Sequence, residues 1–409
     1  MQKSGKMVAR KPFAISFIAA GIILLVLGIV LYWALDPAVF YDLYLYVALA
    51  GAAALGYGIN QIAARRFHGT DVELSGKTAK RFITNNAIMI ALLVLIVVIM
   101  FIQPRFMQLQ VLLDILTQSS TKMIVALGIC FTLLIAGTDL SAGRMVGLAA
   151  VVSTSMLQTV DYANRFFPDL PYMAVIFPIL LAIAACALFG ILNGFLVAKF
   201  DMHPFIATLA VQVIVYGACS LYFDMAPNKS QPIGGIRSDF IVLGQKKILE
   251  IGGFPGISIL VPIAIFFVVL IWFILNKTEF GKNVYAIGGN REAAIVSGVN
   301  VFKTIMGIFV LASVLYGVAG VLEAARTAGA TNQYGNGYEL DAIAACVVGG
   351  VSLNGGIGKV SGIVSGVLIF SVIQYGLQFI AVSPMWQQVI KGIIIAVAVA
   401  IDLTKYRKK

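Results

Sequence analysis

The sequence predicts an all-α, polytopic transmembrane helical bundle of about 12 spans, some broken or re-entrant, with cytoplasmic N- and C-termini. Three observations carry that expectation. Of 409 residues, 60% are hydrophobic and only 11% are charged, and the mean hydropathy is +0.96. A soluble domain carries roughly a quarter charged residues, so this chain has less than half the charge a water-facing surface needs. Apolar runs of about twenty residues recur from end to end, each long enough to cross a hydrocarbon core roughly 30 Å thick. These features exclude a soluble enzyme, a disordered chain and a nucleic-acid module, despite the formal charge of +11.

The apolar runs lie near 13–35, 43–64, 86–103, 122–137, 141–160, 172–198, 203–223, 254–275, 304–322, 338–350, 357–380 and 385–403. The first is too long for a signal-peptide core and stops at Asp36-Pro37 without a small-residue cleavage site, so it reads as a retained anchor. The tenth is short for a span, and only Thr138-Asp139-Leu140 separates the fourth from the fifth. Broken or re-entrant helices are expected at both places. Two connections exceed what a turn needs, an external loop over 224–253 and a cytoplasmic loop over 276–303; long loops in compact structures are usually functional or mobile.

Orientation follows from the basic residues, which collect on the cytoplasmic side. With the N-terminus inside, nineteen of the 29 lysines and arginines fall in one set of loops. Eight fall in the other: Arg105, Lys122, Arg165, Lys229, Arg237, Lys246, Lys247 and Arg326. An even number of spans also places the basic tail Lys405-Tyr406-Arg407-Lys408-Lys409 inside. The positive charge therefore reads as a cytoplasmic flank.

Cys130, Cys186, Cys219 and Cys346 all lie in apolar stretches without a CxxC pair, and read as buried packing residues. His68 and His203 lack ligand spacing, so no metal site is expected. Ser75-Gly76-Lys77-Thr78 resembles the end of a phosphate-binding loop, but Asp71 stands where the first glycine is required and no strand precedes it. Nucleotide binding by this chain is rejected, so another chain or an ion gradient must supply the energy for any uphill movement.

Charged and small residues inside the apolar runs are more informative. Gly137-Thr138-Asp139-Leu140-Ser141-Ala142 and Gly337-Tyr338-Glu339-Leu340-Asp341-Ala342 share Gly-x-acid-Leu-x-Ala, 200 residues apart. Glycine-interrupted segments repeated in two halves mark transport pathways built from related halves, although six residues make a faint repeat. Asp139, Glu339 and Asp341 sit at helix starts, where a carboxylate suits free N–H groups and the positive dipole end. Capping is one reading of them and lining an aqueous cavity the other; irregular backbone at membrane depth is tolerated around such a cavity. Glu323 and Arg326, three apart, are placed to pair. Arg144 is expected to face the bundle interior or an interface, and Lys391 to snorkel or pair. Gly349-Gly350, Gly355-Gly356, Gly362 and Gly366 suit close helix packing.

The cytoplasmic loop contains Gly288-Gly289-Asn290, from which a short helix over 291–296 can start with Asn290 as its cap and Gly298 as its end. Such a helix has the form of a docking element.

Four motifs together carry a family resemblance: Gly-Thr-Asp-Leu-Ser-Ala-Gly-Arg (137–144), Gly-Lys-Asn-Val-Tyr-Ala-Ile-Gly-Gly-Asn (281–290), Glu-Ala-Ala followed by Ser-Gly-Val-Asn (292–300), and Tyr-Glu-Leu-Asp-Ala-Ile-Ala-Ala-Cys-Val-Val-Gly-Gly (338–350). The chain resembles the permease subunit of bacterial ABC sugar importers, a family that takes up ribose, xylose, arabinose and galactose. The likeness leans to its galactose/methyl-galactoside branch. It covers residues 86–405, giving a core of about 10 spans over 86–409; residues 1–85 add two spans and a cytoplasmic linker before the usual start.

The resemblance implies a multi-pass protein of the bacterial cytoplasmic (inner) membrane that moves a monosaccharide by alternating access. Its implied partners are a second permease copy in a homodimer, a tandem-domain ABC ATPase and an extracytoplasmic sugar-binding protein. The chain itself would be no enzyme and would hold no cofactor, with ATP and Mg bound by the ATPase subunit. Gly288, Gly289, Asn290, Glu292, Ala293, Ala294 and Gly298 resemble the ATPase-coupling element. Asp139, Ser141, Arg144, Asn332, Asn336, Glu339 and Asp341 are placed by likeness at the pathway or its gate. The rival reading is an ion-coupled secondary sugar transporter using the intramembrane carboxylates.

Overall fold

A computed structural model describes residues 7, 8, 11–34, 70, 71, 96–250 and 255–406, with scattered positions between 42 and 59. Most of the span expected near 43–64, the first half of that near 86–103, and Ser75-Gly76-Lys77-Thr78 lie outside the described residues. The helices are α1 Lys11–Ala34, α2 Leu109–Leu134, α3 Ala142–Ser155, α4 Ile176–Phe200, α5 Pro204–Asp224, α6 Ser238–Gln245, α7 Leu260–Lys277, α8 Glu279–Gly289, α9 Arg291–Val296, α10 Val301–Thr327, α11 Tyr338–Val348, α12 Val360–Phe379 and α13 Pro384–Tyr406. Among the described residues, six of these, α2, α4, α5, α7, α10 and α12, are long and apolar enough to cross a membrane.

The chain divides into two compact units, Met1–Leu112 with Tyr375–Val382, and Leu113–Gln374 with Ser383–Lys409. In the first, Phe106 packs edge-on against Phe379, with ring centroids 5.5 Å apart. The second is organised around α10, which packs along α4 and α3, while α3 also meets α4 and α5. Missing side chains permit these approaches. A Cβ at Gly190 would strike Ser313, one at Gly194 would press on Met306, and one at Gly320 would overlap the Val146 carbonyl. Where lipid removes the hydrophobic difference between inside and outside, such small-residue seams supply the packing energy.

The expected breaks are present. α3 has 14 residues and α11 has 11, lengths of about 21 and 17 Å at 1.5 Å per residue, well short of a full crossing. The glycines of the eleventh run pack helices: a Cβ at Gly349 would meet the Gly362 carbonyl, and one at Gly366 the Ala345 carbonyl, so α11 and α12 cross backbone to backbone.

Several boundaries differ from expectation. α2 begins at Leu109, thirteen residues before the expected start at 122. The polar run Thr117–Thr121 hides this start from a hydropathy reading. Yet the hydroxyls of Thr117, Ser119 and Ser120 donate to carbonyls three or four residues back at 2.8, 3.0 and 2.7 Å, so these side chains satisfy themselves inside a helix. Lys122 is therefore a helix residue, not a loop residue, and so is Arg326 in the last turn of α10. The loop expected outside, over 224–253, carries the helix α6, and Lys247–Ile248 pairs antiparallel with Ile257–Ser258 just beyond it. The loop expected inside, over 276–303, carries α8 before the expected α9, so Gly288 and Gly289 end one helix instead of forming a free turn.

Filling the α11–α12 crossing tests this packing. Gly366→Val is expected to destabilise the protein by about 1–3 kcal/mol. The check is the thermal unfolding midpoint of purified protein in detergent, where a value equal to that of the parent would refute a backbone-to-backbone crossing.

Candidate translocation and coupling sites

The element expected to couple to an ATPase is built by caps. Thr278 Oγ1 accepts from Gly281 N–H at 3.2 Å and starts α8; Asn290 Oδ1 accepts from Ala293 N–H at 2.9 Å and starts α9. Gly298 ends it at φ +85°, a left-handed conformation that costs glycine nothing. Arg291 pairs with Asp201 at the end of α4, and Asn300 caps α10 through Lys303 N–H at 3.0 Å. Ala294 is the buried residue that seats α9. Its outer face presents Glu292, Ala293, Ile295 and Val296 to solvent, and Val296 is 89% exposed.

Beneath this element is a three-way junction. Gly356 N–H donates to the Leu134 carbonyl at 2.8 Å. A Cβ at Gly288 would overlap that same carbonyl and approach Gly356. Tyr285 donates to the Gly358 carbonyl at 2.9 Å. The end of α8 thus touches the end of α2 and the segment that follows α11.

A second site forms where the nonhelical segment 328–337, after α10, passes α3 and α5. Arg144 donates to Asn336 Oδ1 at 3.1 Å and lies over the Tyr216 ring, 4.2 Å from its centroid. Gln333 donates to the Tyr216 hydroxyl at 3.0 Å, and Asn332 to Ser220 Oγ at 3.1 Å. A Cβ at Gly143 would collide with Glu339 and the Gly335 carbonyl, and one at Gly147 with the Tyr334 carbonyl, so glycine lets the irregular backbone lie against α3. Arg144 Nη1 and Glu339 Oε2 are buried without hydrogen-bond partners. Gln333 and Asn336 are exposed, so this cluster is polar, accessible and only partly satisfied.

Asp139 and Ser141 belong elsewhere. Both are fully buried. Asp139 Oδ1 accepts from the Ser141 N–H at 3.0 Å and hydroxyl at 2.6 Å, and Asn193 donates to Ser141 Oγ at 2.9 Å. Ser141, not Asp139, occupies the N-cap position of α3, and its side chain makes no cap bond. This set holds the turn between α2 and α3 shut against α4. Asp341 forms a third set, ion-paired with Lys391 at 2.9 Å. Nearby, Glu323 and Arg326 pair at 2.7 Å as their spacing predicted. The seven residues expected at the pathway therefore fall into three groups, with Arg144, Asn336 and Glu339 around one cluster and Asn332 beside it.

Residues 111–399 match the protein family described as "Branched-chain amino acid transport system / permease component". The galactose/methyl galactoside import permease protein MglC of Escherichia coli (strain K12) is 48% identical over 336 residues, 82% of this chain and 99% of that protein. The protein of the same name from Treponema pallidum (strain Nichols) is 40% identical over 351 residues, 81% of this chain and 64% of its own length. The ribose import permease protein RbsC of Bacillus subtilis (strain 168) is 35% identical over 319 residues, 77% of this chain and 92% of that protein. No solved structure matches.

The chain belongs to this permease family. It is a multi-pass membrane permease component, and its polar clusters are read in that light. Tyr216, Ser220, Gln333 and Asn193 were not found by motif. Tyr216 and Ser220 lie four apart on α5 and so share a face, a stripe that a helical-periodicity reading could have found. Gln333 and Asn193 carry no sequence signal beyond being polar within an apolar region.

In the long loop over 224–253, Arg237 lies over the Tyr172 ring at 3.6 Å and pairs with Asp239, to which the Tyr172 hydroxyl donates at 3.0 Å. Burial raises the Asp239 carboxyl, but the hydrogen bonds from Arg237 and Tyr172 outweigh it and hold it below the usual carboxylate range. A lowered folded value means that the contribution to stability is complete above the unfolded value, about 3.9, and is lost as pH falls through the folded one. Acidification below about pH 4 is thus expected to loosen the loop over 224–253. Limited proteolysis across this range checks it, with Asp239→Asn, which has no carboxyl to titrate, expected to show no acid-dependent step.

Proposed function

We propose that this permease is the membrane-spanning subunit of an ATP-driven ABC importer in the bacterial inner membrane, and that it translocates galactose or methyl-galactoside by alternating access. The sugar assignment is supported by 48% identity over 82% of the chain to relatives named for that transport; the ribose permease is more distant, at 35%. The observation that carries the energy source is α9, a capped helix held to the body by Ala294 and the Arg291–Asp201 pair while its apolar outer side, Ile295 and Val296, faces water. An exposed apolar patch rimmed by charge on a rigid mount suits a protein partner.

In this reading Gly288, Gly289, Asn290, Glu292, Ala293, Ala294 and Gly298 form the coupling element for a tandem-domain ATPase, which binds ATP and Mg. A second permease copy completes the pathway, and a sugar-binding protein delivers substrate from outside. The roughly 12-span count with both termini inside rests on the distribution of basic residues. The division at residue 85 is supported by a family match that starts only at 111.

Closure of the ATPase domains would shift the permease between inward- and outward-facing states through contacts with α9 that differ between the two, since a ligand moves an equilibrium only by its differential affinity. The junction of Gly288 with Leu134 and Gly356 gives the displacement a route to both broken spans. Arg144, Tyr216, Gln333 and Asn336 offer a guanidinium, an aromatic ring and amides along the polar path, with Asn332 beside them. Asp139 and Ser141 act as its scaffold, and Glu339 and Asp341 stand at its edge.

Two substitutions test this. Glu292→Lys is expected to reduce sugar-stimulated ATP hydrolysis and complex assembly while the permease still inserts; undiminished coupling would remove the docking assignment. Arg144→Lys loses the stacked, fork-shaped group, and labelled-galactose uptake by reconstituted complex is expected to fall about tenfold, the size of one charge-assisted hydrogen bond. Uphill sugar uptake by this chain alone, driven by a proton or sodium gradient in vesicles, would overturn the ATP-driven reading in favour of an ion-coupled transporter.

A further inference from the structure

A small cavity of about 20 Å³ lies between α2, α11 and α12, with Lys122, Tyr338, Asp341, Ser371 and Gln374 in its lining. A space of that size holds about one water molecule or one monatomic ion. Neither the coupling element nor the Arg144 cluster contributes to it, and the transport reading gives Lys122 and Ser371 no task.

The charges around the cavity do not balance. The charged groups that act on Lys122 are Asp341, Lys391, Glu323 and Arg326. Glu323 is fully engaged: Arg326 donates to it at 3.1 and 2.7 Å, Thr121 at 2.8 Å and Tyr338 at 3.0 Å. Asp341 is engaged as well, because Lys391 Nζ stands 2.9 Å from each of its carboxylate oxygens. Lys122 is left with neutral partners, the Gln374 side-chain oxygen and the face of Tyr338 at 5.8 Å. Three cations thus face two carboxylates. Ser371 is only 5% exposed, and its hydroxyl has no partner.

Lys122 is half-buried, and its ammonium, held by neutral partners, is complemented by one negative charge, which restores the balance. The donors that line the cavity suit it: the unpartnered Ser371 hydroxyl, Lys122 Nζ, which has donors to spare beyond the Gln374 oxygen, and the Gln374 amide. The Asp341 carboxylate also borders the space, with its charge answered by Lys391. A monosaccharide does not fit the volume of one water, and a neutral hydroxyl does not correct the charge. We infer that the cavity is a binding site for one small monovalent anion of about the size of chloride, held by Lys122, Ser371 and Gln374 and tying α2 to α11 and α12.

The test uses the full-length permease purified in detergent, heated in sodium chloride or in sodium gluconate at equal ionic strength and pH. The unfolding midpoint is expected to rise with chloride along a saturating curve, equally with bromide, and not with gluconate. Ser371→Ala is expected to shift the half-saturating chloride concentration about fivefold upward, as the loss of one hydrogen bond, and Lys122→Gln to abolish the dependence. Equal midpoints in the two sodium salts, or a chloride response that survives in Lys122→Gln, would overturn the assignment. If Lys122→Gln does not fold, Ser371→Ala decides alone, and an unchanged chloride midpoint overturns it. Stabilisation by galactose in place of halide, lost in Ser371→Ala, would likewise overturn it and make the cavity a sugar subsite.

Discussion

Backbone that is not helical at membrane depth must find hydrogen bonds within the protein, because lipid offers none, and the permease is arranged around meeting that demand. At the turn between α2 and α3, Gly137 N–H reaches the Thr132 carbonyl at 2.9 Å and Leu140 N–H the Thr208 hydroxyl at 3.1 Å. The Thr208 hydroxyl in turn donates to the Thr138 carbonyl at 3.1 Å, and Asp139 takes the Ser141 N–H. After α10, Ala330 exchanges both backbone bonds with Ile233 of the loop over 224–253, and the side chains of Asn332 and Gln333 tie the nonhelical segment to α5. Each break is held by a neighbouring element, so neither can rearrange without moving that neighbour.

This dependence links the α8–α9 element to the first break. The C-terminal end of α2 carries both the Leu134 carbonyl that binds Gly356 and the turn that Asp139 secures. A displacement arriving at α8 and α9 meets backbone carbonyls at close range, with no side chains between to absorb it. Rigid short contacts of this type pass on small movements, as packed interiors do in general. Glycine at 288, 355 and 356 is the condition for that closeness, and at Gly355 and Gly356 φ is also positive, +80° and +69°.

The charged groups serve a different purpose from the one their positions first suggest. Glu323 with Arg326 and Asp341 with Lys391 are pairs between or within helices, and buried pairs contribute more to fixing an arrangement than to net stability. Because α2, α10, α11, α12 and α13 all contribute to this one network, it sets the register of the second unit's helices. Arg144 stands apart from it, stacked on the Tyr216 ring beside the exposed amides of Gln333 and Asn336.

The sequence by itself determined the membrane class, the positions of most apolar helices, the two places where helices break, the Asn290-capped helix and the Glu323–Arg326 pair. Each of these depends on residues close together in the chain: hydropathy over about twenty positions, a cap three residues from its donor, or a spacing of three on one helical face. Tertiary structure decided the rest. Lys122 looked like a loop residue because polar neighbours lowered the local hydropathy, and only the helix geometry, with hydroxyls bonding backward, places it inside. Asp139 and Glu339 share a motif yet part company: one is sealed against α4, the other stands beside Arg144. Burial and partnership belong to residues brought together from 50 to 250 positions away, as with Asp341 and Lys391 or Lys122 and Gln374, and no local pattern encodes which of them will meet.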